Sequence, residues 1–167
     1  MSEVLIIIAA VVARIMPHPP NFTPVGALAL FSGARMSVRK AFILPIAAMI
    51  ISDLVIGFDS WMMRMAVYGS FGLICLVGKI AGRKNSIGRI VLGALAASVL
   101  FYLITNGAVW LTGTLYPKTV AGLGQCLVMG LPFFRNTLLG DLVYTGLFFG
   151  ADAAAKMMAG RRAIIEG

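Results

Sequence analysis

Ile90-Val91-Leu92-Gly93-Ala94-Leu95-Ala96-Ala97-Ser98-Val99-Leu100-Phe101-Tyr102-Leu103-Ile104-Thr105 decides the fold class. The apolar run around it extends from Ile87 to Thr112, with Arg89 as its one charged residue. A helix needs about 20 such residues to cross a bilayer. The rest of the chain repeats the pattern. It is 60% hydrophobic and 12% charged, with a mean hydropathy of +0.96. A soluble domain of 167 residues could not cover itself with so little polar surface.

Working outward, the other apolar runs are Ser2 to Met16, Val25 to Ala34, Val38 to Phe58, Arg64 to Ala81, and a last one from Pro132 to Met158. Pro17-His18-Pro19-Pro20-Asn21-Phe22-Thr23-Pro24 separates the first two and cannot be helical, so it reads as a stiff extended loop. Leu115 to Leu131 is broken and Gly-rich and reads as an outer segment. The expectation is one all-α integral membrane domain over residues 1–167, a six-transmembrane-helix bundle. Met1-Ser2-Glu3 carries an acid and no base, so the first run reads as a retained helix rather than a signal peptide.

Charge sets the orientation. With the N-terminus inside, the inner segments hold Arg35, Arg39, Lys40, Lys79, Arg83, Lys84, Arg89, Lys156, Arg161 and Arg162. The outer segments hold only Arg14, Arg64, Lys118 and Arg135. That bias predicts N-in/C-in in a multi-pass membrane protein. It also accounts for the net charge of +8 without nucleic acid as a partner.

The outer side carries the polar and aromatic residues. Trp61, Trp110 and Tyr116 fall there, as an interfacial belt or as the lining of a ligand site. Asp53 and Asp141 lie at membrane depth, where an ionised Asp costs about 2.5–3.5 kcal/mol on insertion scales. They form either a polar lock between helices or part of a cavity open to the outside, with Arg14, Arg64, Arg135, Thr105, Asn106 and Asn136 as partners at their level. Ser52-Asp53-Leu54-Val55 and Gly140-Asp141-Leu142-Val143 echo each other, each downstream of a proline, Pro45 or Pro132, as a trace of an inverted repeat. Ala9 and Ala13 share one helix face and would let another helix approach closely. His18 is a polar loop residue or a ligand, and Cys75 an inert buried thiol or a soft-metal donor.

Chemistry is sparse. One histidine excludes a paired-His metal site, and no phosphate-binding loop is present. The expectation is therefore no enzyme and no required cofactor.

The segment from Pro17 to Phe31 resembles a family of small bacterial membrane proteins, described as transport proteins of unknown function (the DUF6580 type). Ser52-Asp53-Leu54, Thr105-Asn106, Tyr116-Pro117-Lys118-Thr119 and the run from Pro132 to Asp141 also resemble it. Size and topology are similar to the substrate-binding S components of energy-coupling factor (ECF) transporters, which bind vitamins from outside. That resemblance implies a membrane-embedded protein for micronutrient uptake, with an external small-molecule ligand, the lipid bilayer and an ECF energising module as partners. The implied ligand contacts are His18, Asn21, Phe22, Asp53, Asp59, Trp61, Asn106, Tyr116, Arg135, Asn136 and Asp141. Arg135 and Asn136 would sit at the N-terminus of the last helix. Ala9 and Ala13 would meet the coupling partner. Likeness to the solitary cobalamin-binding type implies cobalamin as the ligand and Cys75 as a cobalt donor. The rival readings are a small intramembrane enzyme using Asp53 and Asp141, and a non-transporting scaffold protein.

Overall fold

The structure is a computed structural model describing residues 3–84 and 86–165, with side chains to residue 160. Ser2 and the side chains of Arg161 and Arg162 lie outside the described residues. Among the described residues there are six α-helices: α1 (Glu3–Ile15), α2 (Val25–Arg35), α3 (Val38–Ile56), α4 (Trp61–Ala81), α5 (Ile87–Thr112) and α6 (Val120–Ile165). A 3-10 turn, Gly82–Lys84, follows α4. Among the described residues three stretches are long and apolar enough to cross a membrane: Trp61–Lys84, Ile87–Thr112 and Val120–Gly160. Large apolar side chains such as Leu54, Leu92 and Val128 cover the outside of the bundle, each more than 60% exposed. Such a surface is compatible with lipid and unfavourable in water.

The second apolar run forms the centre of the fold. Val25–Gly33 is buried along its whole length, so α2 is the central helix, enclosed by α3, α4, α5 and α6. At 11 residues it is about 16 Å long, half a hydrocarbon layer. Glycine makes its crossing with α4 possible. A Cβ on Gly33 would overlap the backbone of Cys75, and one on Gly78 would overlap that of Leu30. Gly78 and Gly82 are four apart, the small-residue spacing of close helix crossings.

Pro45 explains a second contact. Its ring nitrogen cannot donate to the carbonyl of Ala41, one turn back. Ser32 Oγ and Cys75 Sγ donate to that oxygen instead, at 2.9 and 3.1 Å. The Cys75 thiol thus joins α4 to α3.

The last helix corrects the boundary at Pro132. α6 begins at Val120, where Thr119 Oγ1 accepts from the Gly122 amide at 3.1 Å, and it continues through Pro132. Gly122 and Gly130 permit close packing there, against the Pro117 carbonyl and the Asn106 side chain. Neighbouring helices let such residues persist inside apolar helices. Leu115 to Leu131 is thus mostly helix, and Arg135 and Asn136 lie in a helix interior rather than at its N-terminus.

Candidate functional site

At one end of the bundle α1, α3 and α5 finish and α2, α4 and α6 begin. Three adjoining cavities open there, of about 160, 390 and 320 Å³, and Val67 of α4 borders all of them. Ligand pockets commonly fall between 300 and 1,000 Å³.

The innermost cavity has a polar wall of Arg14, Asn21, Thr23 and Asp141 and an apolar wall that includes Met49, Phe71, Ile74 and Phe101. Phe71 and Phe101 stack with ring centroids 5.3 Å apart. Asp141 is 3% exposed. Its Oδ2 accepts from Ser98 Oγ at 2.6 Å, and its carboxylate also takes the Ala27 amide. That amide belongs to the first turn of α2, where backbone N–H groups lack helical partners and a carboxylate is favoured. Gly26 leaves the room, since a Cβ there would overlap the Asp141 carboxylate. No Arg or Lys pairs with Asp141 among the described residues.

Arg14 stands between the innermost cavity and the second one. It donates to Asp53 Oδ1 at 2.5 Å and to Ser52 Oγ. Tyr68 donates to the other carboxylate oxygen at 2.5 Å. Asp59 and Arg64 rim the same cavity. Arg64 donates to the Asp59 carbonyl at 3.1 Å and covers the Phe58 ring at 4.4 Å. The third cavity reaches toward α5 and α6, past Thr105, Asn106 and Tyr116.

The cleft therefore gathers Asn21, Asp53, Asp59, Asn106, Tyr116 and Asp141 from the expected residues. Others lie beside it as braces. Both ring nitrogens of His18 face carbonyl oxygens, of Arg14 at 3.0 Å and Pro19 at 2.9 Å, which ties the loop to the end of α1. Asn136 donates to the Pro20 carbonyl at 3.0 Å, and Phe22 packs on Tyr144. Asn21 makes the turn between them at φ 65°, a conformation asparagine tolerates better than most residues. Trp61 is 66% exposed and borders none of the three cavities, and Arg135 is exposed and borders none either. Cys75 is also absent from their walls. Ala9 is exposed and Ala13 half-buried on α1.

Tyr68, Ser98, Thr23 and the aromatic wall were not anticipated. Ser98 and Tyr68 carried a signal, as hydroxyl side chains inside apolar runs, where a partner is required. No group of three or more His, Cys, Asp or Glu able to hold a metal ion occurs among the described residues.

The profile of a family of unknown function, DUF6580, matches residues 1–162, and the chain belongs to that family. No curated protein and no solved structure matches it.

Proposed function

We propose that this DUF6580 member is a membrane-embedded substrate-binding protein for uptake of a small micronutrient of the vitamin class. It sits in the bacterial cytoplasmic membrane with six helices, N-in/C-in. The observation that carries the reading is the cleft: adjoining cavities with polar walls, open at one end of a bundle whose sides are apolar. The positive-inside bias turns that end outward. Transport then needs an energising partner of the ECF kind or tilting of the whole bundle, because so small a bundle lacks two lobes.

The cleft favours a compact ligand. Cys75 lies outside the walls of the cleft and already donates to Ala41, so cobalamin held through Cys75 is not the ligand we favour. Among the described residues, Asp141 lines the innermost cavity without a cationic partner. A ligand bearing N–H donors or a positive charge would complete its surroundings, with the Phe71 and Phe101 rings as the apolar wall. The enzyme reading is weaker, because Asp53 and Asp141 border different cavities and each is already engaged.

Mass spectrometry of small molecules co-purifying with the detergent-solubilised protein should identify the ligand. Asp141→Asn keeps the side-chain shape and the Ser98 contact. A hydrogen bond to a charged group is worth about 1.5–3 kcal/mol, so this variant should bind about ten- to a hundredfold more weakly with normal folded yield. Arg135→Ala should change binding by less than about twofold, since its side chain points away from the cleft. Equal effects of the two would remove the cleft as the site. If nothing co-purifies and Asp141→Asn changes no binding, the scaffold reading gains.

Orientation has its own test. Reporter fusions at Lys84 and after Arg162 should read cytoplasmic, and one at Pro117 external. A cytoplasmic reading at Pro117 would end the six-span topology.

A further inference from the structure

The opposite end of the bundle holds a groove of about 420 Å³ between the start of α5 and the second half of α6. Ile87, Val91, Leu142 and Phe149 make its apolar sides, and Arg35 and Thr145 contribute its polar groups. Thr145 Oγ1 is buried without a hydrogen-bond partner, whereas Arg35 Nε lies in an ion pair 3.2 Å from the Asp152 carboxylate. Buried polar groups are almost always satisfied, so the orphan hydroxyl of Thr145 marks an absent acceptor.

Thr145 stands out against its own helix and its neighbours. Ser52 and Thr137 each return their hydroxyl to the carbonyl four residues back, at 2.7 and 3.0 Å, and Ser98 gives its proton to Asp141. Thr145 is 5% exposed and makes no such bond. Arg35 lies 3.2 Å from Asp152 Oδ2 and over the Phe149 ring at 5.1 Å. Lys156 shares Asp152 at 2.8 Å, so two cations face one carboxylate at the groove mouth. Thr145 lies seven residues before Asp152, about 10 Å deeper along α6. From mouth to floor the groove thus runs from cation to hydroxyl to hydrocarbon.

We propose that this groove binds one anionic phospholipid of the surrounding leaflet. Its phosphate pairs with Arg35, an ester carbonyl accepts from Thr145 Oγ1, and an acyl chain lies along Ile87, Val91 and Leu142. Charge and polarity at three depths match the order of groups in such a lipid, and the positive-inside bias places this end at the cytoplasmic leaflet. The inference is independent of what the outer cleft binds.

Native mass spectrometry of the full chain with added phosphatidylglycerol or phosphatidylcholine tests it. One phosphatidylglycerol should be retained at about tenfold lower lipid concentration than phosphatidylcholine. Thr145→Val keeps the shape and removes only the orphan hydroxyl, so folded yield should hold while phosphatidylglycerol retention weakens about tenfold. Arg35→Gln should erase the preference between the two lipids, and Val91→Trp, which fills the groove, should abolish retention. Equal retention of both lipids by the unmodified chain would overturn the proposal. So would Thr145→Val and Val91→Trp variants that retain lipid unchanged. Displacement of the lipid by millimolar inorganic phosphate would assign the groove to a free anion and overturn it as well.

Discussion

Gly33→Ala should lower the unfolding free energy of the detergent-solubilised protein by about 3 kcal/mol, and Gly78→Ala by a similar amount. Overpacking a close-packed site costs about 1–3 kcal/mol when side chains can shift. Here the added methyl meets main chain, the Cys75 carbonyl in one case and the Leu30 carbonyl in the other, which cannot rotate aside. The helices must separate, and α2 has no second surface to exchange for the one it loses, because it is buried along Val25–Gly33. The two substitutions act on one crossing, so the double variant should lose less than the sum of the singles. Gly107→Ala is the control. Nothing lies within 4 Å of a Cβ there, and alanine favours a helix by about 1 kcal/mol over glycine. Thermal or denaturant unfolding decides it, and Gly33→Ala melting like Gly107→Ala would sink the account of the crossing.

Arg14→Ala and Asp53→Ala should each destabilise the protein by about 3 kcal/mol. Removing one member of a buried ion pair costs about 3–5 kcal/mol, because the other is left uncompensated. The lower end applies because the Arg14 side chain is 18% exposed and that of Asp53 9%, so some solvent reaches both from the cavities. In Asp53→Ala both Arg14 and Tyr68 lose their acceptor, whereas Tyr68→Phe removes one hydroxyl and should cost about 1 kcal/mol. The Arg14→Ala/Asp53→Ala double variant should recover part of the loss, by about 1–3 kcal/mol relative to additivity. Strict additivity in unfolding experiments would mean that the pair contributes no coupling. These substitutions also open the partition between the two cavities, so altered ligand affinity must be read against the change in stability.

How much of this was legible depends on the range of each interaction. The run from Ile87 to Thr112 is α5 to the residue, because length and hydropathy are local properties. Six helices follow from the runs and their breaks, and Asp53 and Asp141 stood out as acids in apolar surroundings. The fate of Val25–Gly33 was not legible, since a helix surrounded by protein and one surrounded by lipid need the same apolar side chains. For the same reason the outward aim of Trp61 and Arg135 left no trace in helical periodicity. Pro132 and the glycines before it suggested a break that packing against α5 overrides. The role of Cys75 rests on Pro45 releasing the Ala41 carbonyl, an interaction 34 residues away in sequence. Gly78-Lys79-Ile80-Ala81-Gly82 did carry a readable spacing, a stronger small-residue signal than Ala9 and Ala13.

The enclosure of α2 has a consequence for biogenesis. The chain leaves the ribosome at about 5–20 residues per second, so α2 is made a few seconds before α4 and longer before α6. During that interval it is too short to cross the bilayer unaided, and neither the Cys75 backbone that will meet Gly33 nor the Asp141 carboxylate that will take the Ala27 amide yet exists. Insertion of this protein is thus not a stepwise threading of finished hairpins. The nascent chain must keep its second helix provisional, at the interface or sheltered by the insertion machinery, until later helices close around it.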